Sequence, residues 1–120
     1  EYAALRYARE RYGADSADTL RAYRVEAPMR ETIPGELTPG SPLSYYGDYT
    51  AYAAIVYGRG AALMLALDEH LPGGVDPFLK RYCGKFAFGR ITRSDFERLL
   101  NEYAQSDLSP LVSDYLDTIL

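Results

Sequence analysis

Tyr57 is the side chain in this 120-residue sequence best placed to do chemistry. It lies within the longest apolar run, YTAYAAIVYGRGAALMLALDEHL (49–71), two residues before Arg59, the only charge ahead of Asp68. At helical spacing its neighbours are Ala53, Ala54, Gly60, Ala61 and Met64. Most are small, which leaves room for something other than protein to lie against the phenol. The alternative is a core tyrosine whose hydroxyl finds a carbonyl. Tyr45, Tyr46 and Tyr49 crowd the entrance to the same run. They either line a pocket for an aromatic or apolar group or pin the preceding loop to the surface, and both readings stay open. His70 and Cys83 are the sole histidine and cysteine. A lone cysteine forbids an internal disulfide and reads as a small buried hydrophobe. A lone histidine builds no His-rich zinc site, so no metal ligand is assigned within the chain.

The elements that must position these residues follow from composition and periodicity. With 48% hydrophobic and 25% charged residues, the chain has the makeup of one globular domain, spanning 1–120. The net charge is −4 with both signs interspersed, and the absence of a basic cluster argues against nucleic acid as a partner. The 49–71 run is too interrupted for a membrane span. No signal peptide or initial Met is present, so the chain reads as a piece of a larger protein. Nothing in it points to a compartment.

The first twelve residues predict a helix with Tyr2, Leu5, Arg9 and Tyr12 on one stripe, closed by Gly13. A second helix starts at Asp15 or Ser16, presents Leu20, Tyr23 and Ala27, and stops at Pro28. Residues 28–48 hold Pro28, Pro34, Pro39 and Pro42 with Gly35, Gly40 and Gly47, the pattern of a long irregular loop. Loops of that length often lie over a binding site. The central helix follows. Glycines flank its Arg59, pointing to close backbone packing or a local irregularity. After Pro72-Gly73-Gly74, Asp76-Pro77 starts a helix bearing Phe78, Leu79, Tyr82, Cys83 and Phe86, with Gly89 closing it or the loop beyond. Thr92 and Asp95 open the next as a short capping box, over Phe96, Leu99, Leu100 and Tyr103. Asp107 or Ser109 caps a last helix that turns Leu111, Val112, Tyr115, Leu116 and Ile119 inward. No segment alternates as a strand would. The predicted fold is an all-α bundle of about six helices with one long Pro/Gly-rich loop.

Three stretches, VYGRGAALMLALDEHLPGG (56–74), DPFLKRYCGKFAFGRIT (76–92) and SDFERLLNEYAQSDLSPLVSDYL (94–116), occur in an order that resembles M1-family zinc aminopeptidases. The likeness is to the helical part that follows the zinc site, with its V-Y-x-K-G-A core and Y-x-x-x-F-x-F-x-x-x-T-x-x-D-F segment. It runs from Tyr52 to Leu116, more than half of the chain. The resemblance implies that Tyr57 is the phenol that donates a hydrogen bond to the oxyanion formed at the scissile carbonyl. A neutral donor aimed at developing charge contributes ~2.7–4 kcal/mol in such sites. It further implies a zinc cofactor in the parent protein, a peptide substrate, and Glu1-Tyr2 as the tail of the helix carrying the third zinc ligand. The family's H-E-x-x-H and G-x-M-E-N motifs do not occur here, and Glu69-His70 has no second histidine to complete such a motif. Arg59 stands where the family usually has Lys, and it reads as a structural donor to loop or helix-end carbonyls.

Tyr52 matches a recurrent tyrosine of the family. Five residues advance a regular helix by about 500°, leaving the Tyr52 and Tyr57 side chains ~140° apart. They meet only if the backbone is irregular or Tyr52 precedes the helix proper. Tyr52 therefore reads as a residue that supports the site from behind or anchors the loop; with the resemblance, Tyr52, Tyr45, Tyr46 and Tyr49 are expected on the substrate side and Tyr57 in catalysis. The isolated chain is expected to be inactive, to lean on upstream zinc-binding helices in its parent, and to self-associate where it lacks them. The competing reading is a non-catalytic helical interaction module on the same scaffold.

Overall fold

The computed structural model describes residues 1–30 and 36–118. Six helices make up the fold, with no strand among the described residues. They are α1 (Tyr2–Tyr12), α2 (14–29), α3 (Tyr49–His70), α4 (Val75–Phe86), α5 (Arg93–Ala104) and α6 (Ser109–Leu116). The apolar run is the axis of the molecule: α3 packs against α1, α2, α4 and α6. Its Ala61, Leu63 and Leu67 meet Val25 of α2, Phe78 of α4, Leu99 and Leu100 of α5 and Val112 of α6 in one buried cluster. By length and apolarity α3 would also suit a membrane span, but its buried face is spent on this core.

The starts of α3 to α6 are fixed by side chains that take up orphan backbone donors, whereas α1 and α2 have no side-chain cap, and Gly13, not Asp15 or Ser16, stands at the N-cap of α2. Asp48 Oδ1 accepts from the Ala51 N–H (2.8 Å) and so starts α3. Thr92 and Asp95 form the expected reciprocal box at α5. At α6 the Asp107 carboxylate accepts from the Ser109 N–H (3.0 Å), and the Ser109 hydroxyl first, then this N–H, hold its pKa below the usual carboxylate range. The start of α4 differs from expectation. Asp76 lies inside the first turn, and the cap comes from α3, where Asp68 Oδ1 accepts the Val75 N–H at 2.8 Å. Gly74 precedes it at φ 81°, and a Cβ there would stand 2.7 Å from Asp68 Oδ1, so glycine is required. Asp76 is left to accept from the Tyr2 hydroxyl (3.1 Å) and to pair with Arg6 (2.6 Å), tying α1 to α4.

Pro28 does not end α2. The helix opens into π-helical turns over Ala22–Glu26 and continues through Ala27–Met29. A proline ring clashes with the carbonyl four residues before it, and the wider turn makes room for it. That turn also changes which residues face inward. Ala17 and Val25 are buried, whereas Tyr23 and Ala27, expected on the apolar stripe, are exposed. On α1, Ala8 is buried in place of Arg9 and Tyr12. Cys83 is exposed, contrary to its reading as a core hydrophobe, because the inward stripe of α4 is already filled by Phe78, Leu79, Tyr82 and Phe86. In the α4–α5 turn the left-handed position is taken by Phe88 (φ 61°), not Gly89. Between α2 and α3, residues 36–48 are irregular apart from one 3-10 turn at Leu43–Tyr45. The loop's Pro34 and Gly35, and Ile119 of the expected last stripe, lie outside the described residues.

Candidate functional site

The middle of α3 is irregular where its sequence has glycine on both sides of Arg59. Residues Ala53–Arg59 are π-helical. One cause is the neighbour. A Cβ on Gly58 would lie 3.3 Å from Met29 Cγ and 3.4 Å from the Val25 carbonyl oxygen, so α2 and α3 cross there at close quarters. The two π segments face each other across this crossing. The wider i→i+5 turns of a π helix bring residues five apart much closer in angle than the ~140° of a regular helix. Tyr52 and Tyr57 therefore meet: their ring centroids are 5.2 Å apart, edge to face, where a regular helix would have splayed them.

Arg59, 5% exposed, turns away from the tyrosines. Its guanidinium donates to the Thr118 carbonyl and, at 3.4 Å, to that of Asp114, closing the C-terminal end of α6. Burial lowers its pKa, against the opposing influence of Tyr115. Its role is structural.

The Tyr57 ring is 37% exposed and borders a cleft of about 510 Å3. That volume is in the range of small-ligand sites. Tyr49, Ala53 and Ala54 contribute from α3, and Tyr23, Arg24 and Pro28 from α2. Glu1, just ahead of α1, closes one end and pairs with Arg24 at 3.5 Å. The pKa of Tyr57 is raised, first by the neighbouring Tyr52 phenol, then by burial and by Tyr49. At neutral pH the group is therefore a protonated hydrogen-bond donor.

The four other tyrosines separate into distinct roles. Tyr49 lines the cleft and stands edge-on to Tyr57 (6.5 Å). Tyr46 pins the loop: its hydroxyl donates to the Thr38 carbonyl at 2.5 Å and its ring abuts Tyr52 at 5.5 Å. Tyr52 sits between Tyr46 and Tyr57 and is not among the cleft-lining residues. Tyr45 is exposed and lies outside the cleft. Of the two readings left open for these tyrosines, pocket lining holds for Tyr49 and pinning for Tyr46. Tyr23, Arg24 and Glu1 were not legible as site residues. Tyr23 follows a helical stripe that only the π turn breaks, and the one sequence signal for that turn is Pro28.

Among the described residues no group of three His, Cys, Asp or Glu side chains could hold a metal ion. A groove of about 690 Å3 elsewhere, walled by Leu63, Met64, Tyr82 and Phe96, contains none of the candidate residues. A scan against protein-family models, a search of curated proteins and a search of solved structures each find no match.

Proposed function

We propose that this chain is the helical part of an M1-like zinc-dependent aminopeptidase, with Tyr57 as the donor to the oxyanion of the tetrahedral intermediate. One observation carries the reading: Tyr57 and Glu1, at the start of α1, open onto the same cleft. The resemblance puts the third zinc ligand on the turn of helix ahead of Glu1, and residues a turn apart share a face. A ligand there would face the Tyr57 side of the cleft. Zinc and the water it activates belong to parts of the parent protein outside these 120 residues. This chain's contribution is a neutral phenol held at the rim of an apolar cleft, with aromatic and small residues to exclude water beside it. The carbonyl oxygen of a bound peptide gains negative charge as the tetrahedral intermediate forms. A fixed donor strengthens its bond to that oxygen as the charge grows, which favours the transition state over the bound substrate.

The test is Tyr57→Phe in the parent protein. Turnover should fall by roughly 10²–10³ with little change in KM, because the lost bond is made mainly in the transition state. The melting temperature should stay nearly constant, since the ring and its contacts with Tyr49 and Tyr52 remain. Unchanged turnover would remove Tyr57 from catalysis. A parent without any peptidase activity would favour the binding-module reading of the same scaffold.

A further inference from the structure

The rings of Tyr46, Tyr52 and Tyr57 form a continuous edge-to-face series that runs from the loop before α3 to the cleft. Tyr46 meets Tyr52 at 5.5 Å and 88°, and Tyr52 meets Tyr57 at 5.2 Å and 73°. Each contact has a separate structural cause. The first exists because Tyr46 is fixed to the turn at 38–41. Its hydroxyl bonds the Thr38 carbonyl, and that turn is closed by the Ser41 N–H on the same carbonyl (2.9 Å) and by the Thr38 N–H on Ser41 Oγ (2.9 Å). The turn is in turn attached to the end of α6, where the Gly40 N–H donates to the Leu116 carbonyl at 3.2 Å. The second contact exists because the π segment rotates residue 57 toward residue 52.

A phenol has two soft torsions, and the direction of its hydroxyl follows the plane and tilt of the ring. Tyr57 is held on two sides, by Tyr52 and by Tyr49, and its remaining side faces the cleft. Tyr49 is mostly exposed, so Tyr52 is the firmer of the two supports. An aromatic pair of this geometry contributes more than its buried area alone. Because Tyr52 is itself clamped by Tyr46, the placement of the loop reaches the cleft without the loop having to enter it.

We propose that Tyr52 is a positioning residue for the Tyr57 phenol, and that Tyr46 links its setting to the seating of the 36–48 segment on the end of α6. This rests on the reading of Tyr57 as the oxyanion donor. It assigns the loop a function other than covering the cleft: a loop unseated from α6 releases Tyr46, frees Tyr52 to turn, and lets the catalytic phenol swing off its line to the oxyanion. The groups around Tyr57 include Tyr52 and Tyr49 on its own helix, with Glu1 before α1 and Arg24 on α2 lining the same cleft.

The test uses the full 120-residue chain labelled at the tyrosine ring carbons, with Tyr57 assigned by its loss in Tyr57→Phe. Ring-to-ring nuclear Overhauser contacts should connect Tyr46 to Tyr52 and Tyr52 to Tyr57. Tyr52→Phe, which keeps the ring, should preserve the Tyr57 ring shifts while its titration falls toward the ordinary phenol value. Tyr46→Leu should weaken the Tyr52–Tyr57 contact and move the Tyr57 ring shifts, with the amide signals of α4 and α5 unchanged as proof of folding. Tyr45→Leu, on the same loop but outside the series, should move nothing at Tyr57. Tyr57 shifts and titration unaltered in Tyr46→Leu, or altered as much by Tyr45→Leu, would overturn the proposal. In the parent peptidase Tyr46→Leu should lower kcat by up to about 10²-fold with KM nearly constant. It should add no further loss on a Tyr57→Phe background. Ring contacts as expected but full activity in Tyr57→Phe would overturn the peptidase role of Tyr57, and with it the catalytic purpose of the positioning. Loss of activity in Tyr57→Phe without the ring coupling would overturn the positioning alone.

Discussion

The Tyr2 phenol, rather than that of Tyr57, is the tyrosine whose ionisation the fold opposes most directly. It is buried, it donates to Asp76, and Asp68 lies nearby, so its pKa is pushed up to about 12, with burial the largest cause. The folded state thus holds this proton more tightly than the unfolded chain, whose tyrosines ionise near 10. Its contribution to stability is intact below pH ~10 and is lost as pH rises through about 12. In urea unfolding, the stability difference between the wild-type chain and Tyr2→Phe should therefore shrink by about 2 kcal/mol across that interval. A difference independent of pH would mean the phenol is not buried against the carboxylates. That Tyr57 borders open space was legible in the small residues around it, whereas its chemistry is part of the proposal. Cys83 and Tyr23 were misread for a shared reason. Periodicity marks residues that could face inward, and when a stripe is oversupplied, or the helix changes pitch, it does not say which ones do.

At the scale of elements, the two glycines beside Arg59 make opposite forecasts although they are only two residues apart. Gly60 is α-helical, and a Cβ there meets nothing within 4 Å. Gly60→Ala should stabilise the chain by up to ~1 kcal/mol, by lowering the backbone freedom of the unfolded state. Gly58 lies against the Val25 carbonyl and Met29, so Gly58→Val should cost about 1–3 kcal/mol and push α2 away from α3. Thermal melts of the two variants read both signs. Equal effects would mean that the crossing is loose and the π segments have another cause. The capping box of Thr92 with Asp95 was readable because it acts locally. The start of α2 was not, because Gly13 rather than Asp15 or Ser16 holds its N-cap. The cap of α4 was misassigned because it comes from Asp68, seven residues upstream on another helix. The π turns lay hidden for the same reason. They answer to a helix crossing and to a proline ring, and neither is visible as a period.

At the scale of the whole molecule, the cleft face carries uncovered aromatic surface. Tyr23 and Tyr49 are largely exposed there beside Tyr57, and Leu43 and Tyr45 are exposed on the nearby loop. Aromatic surface of this kind is commonly a contact site. Under the peptidase reading its occupants are the zinc-bearing helices and a peptide, and in their absence a second copy is the available apolar partner. The net charge of −4 sets a small repulsion between copies, which salt screens over a Debye length of ~8 Å at physiological ionic strength. Self-association should therefore be weak, rise with protein concentration, and strengthen as salt is added. A contact held by ion pairs would show the reverse salt dependence. Sedimentation velocity on the 120-residue chain, from low to high micromolar concentration and in low and high salt, measures both trends. Tyr23→Ser with Tyr49→Ser should shift the distribution toward monomer without lowering the melting temperature, since neither ring is buried in the core. A wild-type chain that stays monomeric throughout, or association that the double substitution leaves untouched, would mean that the cleft face is stable in water and needs no cover.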